Sequence, residues 1–156
     1  MNKSNQSNYK NDKEDLKLIK VDFKNPLHNK LLYEFLRKRE FKISHKNLPT
    51  YQNHLKFVKN NPYRKWFLIS YNFEIIGSIY ILYDNGIGID IPKINYKIIG
   101  EILKIVFLKI KPLKAVPSIR TNNYHINVAS KNNSMYKFII DSGGVLKQHS
   151  FEFEKK

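Results

Sequence analysis

The chain has 156 residues, 42% of them hydrophobic and 13% aromatic, which is the size of one ordinary domain with material for a real core. It contains no cysteine, so disulfides, thiolate metal sites and cysteine nucleophiles are excluded and a reducing compartment is the natural setting. The formal net charge of +15 admits two readings. One is a nucleic-acid or membrane-surface partner. The other is compositional drift, because Lys, Asn, Ile and Tyr are abundant together and the lysines are spread along the chain instead of forming a block. The second is preferred, and it leaves a basic surface that attracts anionic ligands.

Met1 to Asp15 are polar, without the apolar stretch of a secretory signal, and read as a solvated tail (1–15) ahead of one domain over 16–156. No apolar run approaches the roughly 20 residues of a membrane helix. A cytoplasmic protein with no membrane partner and no specific nucleic-acid partner is expected. Leu16 to Phe23 suits a first strand. Asn25 and Pro26 open a helix carried over 27–39 by Leu27, Leu31, Leu32, Phe35 and Leu36. A second helix starts at Leu48, Pro49 and Thr50, shows Tyr51, His54, Leu55 and Val58 on one face, and stops before Asn60, Asn61 and Pro62. Lys65–Tyr71 and Ile75–Tyr83 form a hairpin about the turn Asn72–Phe73. Asp84, Asn85 and Gly86 make a second turn into a short strand, Ile87–Ile91.

The clearest helix follows over 96–110, with Ile98, Ile99, Ile102, Leu103, Val106 and Ile110 on one face. A basic loop runs from Lys111 to Asn123. Then come a strand, Tyr124–Ser130, a helix, Asn132–Ser142, ended by Gly143 and Gly144, and a last strand, Val145–Phe153, anchored by Val145, Phe151 and Phe153. The order is strand, helix, helix, three strands, helix, strand, helix, strand.

That order, together with three stretches of sequence, resembles the GNAT N-acetyltransferases over about 16–154. Trp66 to Ile79, with the pair Ile76–Gly77 opening its second strand, looks like the family's central hairpin. Asn127 to Ser134, followed by a helix and Gly143, Gly144 and Val145, is similar to the family's late segment. His54 to Phe57 resembles the second helix of small acetyltransferases that act on amino sugars and related amines. The resemblance implies an α/β (α+β) fold with a mixed, mostly antiparallel, twisted sheet of about six strands and four helices. It implies an N-acyltransferase moving an acetyl group from acetyl-CoA to a small-molecule amine, with a nucleotide-linked amino sugar preferred. Two departures stand out. In the stretch matching the pyrophosphate loop, Asn95 to Glu101, only Gly100 matches and Ile98 replaces the first glycine. The Tyr that protonates the departing thiolate falls on Ile140, with Tyr136 about one turn earlier. These departures motivate a second expectation, a non-catalytic relative that binds acyl-CoA or a partner.

Acyl transfer needs a neutral amine held at the thioester, which can supply about 7–11 kcal/mol at best, and a donor for the developing oxyanion. No metal is required, and the five histidines show no metal-ligand spacing. The resemblance implies that Ile89 and Ile91 line the pantetheine arm through their backbone groups, and that Asn127 and Asn133 contact the pantetheine amide or the adenosine side. Asn133 also suits a helix N-cap. The pyrophosphate is expected at the helix start, on Lys97 and the amides of Ile98, Ile99 and Gly100; Lys97 is otherwise a surface lysine. Asp90 or Glu74 would serve as general base through water. For Asp90 the alternative is an outward-facing side chain, since alternation puts Ile89 and Ile91 on the other face. His54 would face the acceptor or pack against Tyr51 and Val58, with packing favoured. Tyr83, Trp66 and Tyr63 would wall the acceptor or belong to the core. Either a monomer or a homodimer is compatible with these features.

Overall fold

The computed structural model describes residues 15–41 and 47–153. Nearly all of the expected tail lies outside them. Asp15 does not behave as tail: its N–H donates to Asn72 Oδ1 at 3.1 Å and its carbonyl accepts from the Asn72 N–H at 2.9 Å.

The elements in chain order are β1 (Leu16–Lys20), α1 (Pro26–Lys38), α2 (Tyr51–Lys59), β2 (Lys65–Tyr71), β3 (Glu74–Ile81), β4 (Gly86–Asp90), α3 (Tyr96–Lys109), β5 (His125–Ile126) and α4 (Asn133–Asp141). The sheet runs β1-β2-β3-β4-β5. Its first three pairings are antiparallel and β4–β5 is parallel, so the sheet is mixed and mostly antiparallel, as the resemblance implied.

Local chemistry explains most of the boundaries. Asn25 caps α1 by accepting the Leu27 N–H, with Pro26 at the first helical position, and Thr50 caps α2 by accepting the Asn53 N–H. In the β2–β3 turn Asn72 and Phe73 have φ of 46° and 68°. Two successive left-handed residues give the turn twist that a two-residue hairpin requires. Alternation along β2 sends Ile69 to one face and Leu68 to the other. Ile69 joins Ile79, Ile81 and Ile87 under the apolar face of α3, while Leu68 packs with Leu32, Phe35 and Val58 of α1 and α2. The sheet is therefore a middle layer with helices on both sides.

The structure departs from the sequence reading in three strands. β1 ends at Lys20 instead of Phe23, because the Asp22 carboxylate accepts the Lys24 N–H at 2.9 Å and its carbonyl accepts the Asn25 N–H at 3.1 Å, which turns the chain into α1. β5 keeps only His125–Ile126 of the expected Tyr124–Ser130. Val145–Phe153 is not a strand: no segment pairs with it among the described residues, and its apolar side chains are exposed. Among the described residues the sheet thus has five strands, where about six were expected. Period-two patterning qualifies a segment for a strand, but a ladder also needs a free edge within reach.

Candidate functional site

β4 and β5 start side by side and then part. Gly86 pairs with His125 and Ile87 with Ile126, and the parallel ladder stops there. On its other side β4 stays paired with β3 as far as Ser78↔Asp90. The Asn85 carbonyl accepts the His125 N–H at 3.2 Å, and the Gly86 carbonyl accepts the Leu82 N–H at 2.8 Å. Odd-numbered residues of β4 therefore turn their backbone groups toward β5, and even-numbered ones toward β3. Ile89, and Ile91 one step past the strand, belong to the odd set. Their main chain faces the gap, where no strand pairs with them among the described residues, while their side chains pack on the α3 side of the sheet.

Two glycines hold this strand in place. A Cβ on Gly77 would overlap the Asp90 carbonyl oxygen, so β3 presses directly against the end of β4. A Cβ on Gly88 would overlap the Tyr80 ring, which lies flat across β4.

The chain leaves β4 into α3 and leaves β5 into α4, so both helices begin at the end where the strands part. The expected phosphate cradle needs correction here. Asn95 Oδ1 accepts the Ile98 N–H at 3.2 Å and the Asn95 carbonyl accepts the Ile99 N–H at 3.0 Å. Helix geometry commits the Gly100 N–H to the Tyr96 carbonyl. All three amides are thus used inside the helix, because Asn95 starts it a turn before Gly100. Ile98 and Ile99 instead supply core side chains. Gly100 is not required for packing: a Cβ there would meet only Phe138 Cζ, at 3.9 Å. Lys97 lies exposed in the first turn of α3. At α4 the cap is Asn132, whose side chain accepts the Met135 N–H at 3.1 Å. Asn133 therefore does not cap; it is exposed at the helix start, and Asn127 is exposed just past β5.

On the opposite face of β4 from α3, Asp90 is 7% exposed, not outward-facing as alternation alone allowed. Both Nε and Nη2 of Arg39 donate to its Oδ2, the former at 3.1 Å. Burial works against the charge on Arg39, but the hydrogen bond and the charge of Asp90 outweigh it and raise its pKa. Beside the pair, Tyr63 and Tyr80 stack at 4.1 Å between centroids, and Tyr63 meets Trp66 edge-on at 4.8 Å. Burial pushes both tyrosine hydroxyls up and keeps them neutral, with the nearby Arg39 acting the other way. Arg39, Tyr80 and Gly88 were not singled out from the sequence. Arg39 and Asp90 are 51 residues apart, and no local pattern links them.

The other expected residues fall elsewhere. Glu74 is exposed at the hairpin turn, beyond the stretch of β3 that pairs with β4. Tyr83 is 61% exposed at the β3–β4 turn, the closed end of the gap, so it cannot wall an acceptor at the open end. Tyr136 and Ile140 lie on the exposed face of α4. His54 is buried between the helices: its Nε2 is 3.1 Å from the Asn29 carbonyl, and its ring lies against Tyr33 and Tyr51. That is the packing alternative, not an acceptor contact. Among the described residues no cluster of His, Cys, Asp or Glu could hold a metal, and no helix is long and apolar enough to cross a membrane.

His54 has a consequence for stability. Burial lowers its pKa below the ordinary 6.5, and the hydrogen bond to the Asn29 carbonyl only partly opposes this. The folded chain therefore binds this proton less readily than the unfolded one. The stability it contributes is present above the unfolded pKa and is lost as pH falls through the lower folded value. Thermal melts between about pH 7 and pH 5 should show a fall in Tm that is shallower in His54→Gln. Equal slopes for the two proteins would remove His54 as the cause.

No family model and no curated protein matches the sequence. Solved structures do. The Campylobacter jejuni N-acetyltransferase PseH in complex with acetyl coenzyme A is similar with a TM-score of 0.57 and 18% identity, over 87% of this chain and 92% of that one. A second structure of Campylobacter jejuni PseH gives 0.55 and 18%, over 88% and 91%. The chain has the fold of the GNAT N-acetyltransferases. Within that fold, PseH is one protein whose layout it shares over most of its length.

Proposed function

We propose that the chain is an N-acyltransferase that moves an acetyl group from acetyl-CoA to the amine of a small molecule. The observation that carries this reading is the parting of β4 from β5 after two residue pairs, with the Ile89 and Ile91 backbone turned into the opening. A slender amide-bearing arm can pair there as a strand would, and the similar PseH structure is a complex with acetyl coenzyme A. Ile89 and Ile91 would hold the pantetheine arm, with Asn127 and Asn133 beside it. Lys97 and the basic surface would attract the phosphates, in place of the three helix amides that the chain itself uses.

The thioester carbon would lie near the end of β4, where a backbone N–H facing the gap can stabilise the oxyanion. The acceptor would enter from the Arg39, Asp90 and Tyr80 side. A nucleotide-linked amino sugar is the sharper proposal for it, since a partly exposed guanidinium beside aromatic rings suits an anionic, ring-bearing molecule.

A non-catalytic acyl-CoA-binding module is the second reading. It is favoured by the Asn95 cap that occupies the Ile98 amide and by the absence of a tyrosine at position 140. Calorimetric titration with acetyl-CoA, beside release of free coenzyme A over a panel of amines that includes nucleotide-linked amino sugars, tests both. Binding with turnover is expected. Binding with no turnover on any amine selects the second reading, and absence of binding removes both.

A further inference from the structure

We propose that the closed end of the gap, around the β3–β4 turn, is a docking surface for an anionic lipid bilayer. Along the sequence the lysines are spread, which favours compositional drift, but the fold gathers cations and apolar side chains at this end. No Asp or Glu occurs between Glu101 and Asp141. From that stretch, the last turn of α3 and the loop over 111–123 are fastened at the closed end. The Tyr124 hydroxyl, just ahead of β5, donates to the Ile110 carbonyl at 2.6 Å, and its ring stacks on Phe107 with 5.6 Å between centroids. Asn85 bonds Leu113 and Thr121 of the loop. Arg120 donates from Nη1 to the Tyr83 carbonyl at 3.4 Å and from Nε to the Lys114 carbonyl at 2.8 Å. Val116 pairs with Arg120, and Ser118, at φ 59°, turns the tip between them.

Large apolar side chains stand outward from this fastened frame. Leu108 is 85% exposed, Ile119 70%, Tyr83 61% and Phe107 53%. Lys109, Lys111 and Lys114 lie between Leu108 and Ile119 in sequence, are exposed, and have no ion-pair or side-chain hydrogen-bond partner among the described residues. Asp84, the acid of the turn, is already engaged: Oδ1 accepts the Gly86 N–H at 2.8 Å and Oδ2 lies 3.8 Å from His125 Nε2. Because the loop backbone is tied down in the free chain, little ordering remains to be done on a surface.

A bilayer is the occupant that uses both kinds of side chain. Leu108 and Ile119 enter the boundary between headgroups and acyl chains, Tyr83 and Phe107 suit the interface, and the lysines reach anionic phosphates with their stems along the apolar surface. A nucleic-acid duplex would meet the lysines but set Leu108 and Ile119 against its phosphates. A single strand gains no free platform in Phe107, whose ring already carries Tyr124. The contact is peripheral, made by side chains entering singly; no described helix is long and apolar enough to cross a membrane. The gap opens at the other end of β4, so a docked chain keeps it clear. The docking does not depend on the acyl-transfer reading.

Cosedimentation of the full chain with vesicles of phosphatidylcholine, alone or mixed with phosphatidylglycerol, tests this without coenzyme or acceptor. Binding is expected to the mixed vesicles only, and to weaken as salt is added. Lys109→Gln/Lys111→Gln/Lys114→Gln should lower the affinity on the order of a hundredfold. Lys30→Gln/Lys56→Gln/Lys59→Gln, which removes the same charge from exposed positions on α1 and α2, should change it far less. Leu108→Ser/Ile119→Ser keeps the charge and should lower the affinity about tenfold. Circular dichroism of every variant should match the parent, since all the altered side chains are exposed. Absence of binding to the mixed vesicles, equal losses in the two lysine variants, or indifference to Leu108 and Ile119 would each overturn the proposal. Binding to a DNA duplex that falls in the 109–114 lysine variant, with no binding to vesicles, would make this a nucleic-acid surface instead.

Discussion

Asn85→Ala is expected to lower stability by about 3–5 kcal/mol, a large share of what a domain of this size holds. Asn85 is fully buried in the turn before β4, and its side chain makes three hydrogen bonds to the loop over 111–123. Nδ2 donates to the carbonyls of Leu113 and Thr121, each at 2.9 Å, and Oδ1 accepts the Leu113 N–H at 2.7 Å. Alanine leaves all three backbone partners unmatched where water reaches them poorly, at roughly 1–3 kcal/mol each before relaxation. Asn85 also sits at φ 70°, where a side chain other than Asn or Asp costs about 1 kcal/mol more. Asn85→Gly should be the milder change by about that backbone amount. The damage should reach the gap, since the Asn85 carbonyl is also a hydrogen-bond partner of β5. Urea melts and acetyl-CoA titration of the same samples measure both. A fall in Tm of under about 5 °C for Asn85→Ala would show that the loop does not depend on this side chain.

The second large effect concerns Arg39 and Asp90. Arg39→Ala strands a carboxylate that is 7% exposed, and breaking such a pair costs about 3–5 kcal/mol. Asp90→Ala should cost less, about 1–3 kcal/mol, because the Arg39 side chain is 34% exposed and can turn toward water. The double variant should be less damaged than the sum of the two, with a coupling of about 1–3 kcal/mol. The same variants decide what Asp90 does. As a general base, Asp90→Asn would cut turnover about 10²–10⁴-fold while Arg39→Ala spared most of it. As one half of a latch that ties the end of α1 to the parted strand, the two would lose turnover and stability together. The geometry favours the latch, because both donors of Arg39 converge on one carboxylate oxygen. A turnover loss confined to Asp90→Asn would restore the catalytic role.

Tests on the two tyrosines follow the same logic. Tyr63 and Tyr80 are stacked over β4 and kept neutral by burial, so they can donate a hydrogen bond to an acceptor but cannot take its proton. Their substitution should therefore change acceptor affinity more than the pH profile of turnover.

Local periodicity and turn chemistry were enough to locate the four helices of the described residues, the β2–β3 hairpin and the Asn85–Gly86 turn, because helical spacing, Asn and Pro caps and left-handed turn residues act within a few positions. The resemblance to GNAT acetyltransferases rested on the same short-range features in their order, and the fold agrees with it. The residues that matter most to the site were decided by distance along the chain. Where β5 stops, whether Val145–Phe153 finds an edge, which cation meets Asp90 and which Asn caps α4 all depend on partners tens of residues away or on one-residue shifts in helix start. Alternation states only that a side chain lies on one face; Arg39, at the end of α1, meets Asp90 and makes that face an interior one. Strand pairing and buried ion pairs are set by which surfaces meet, and that is a property of the folded chain.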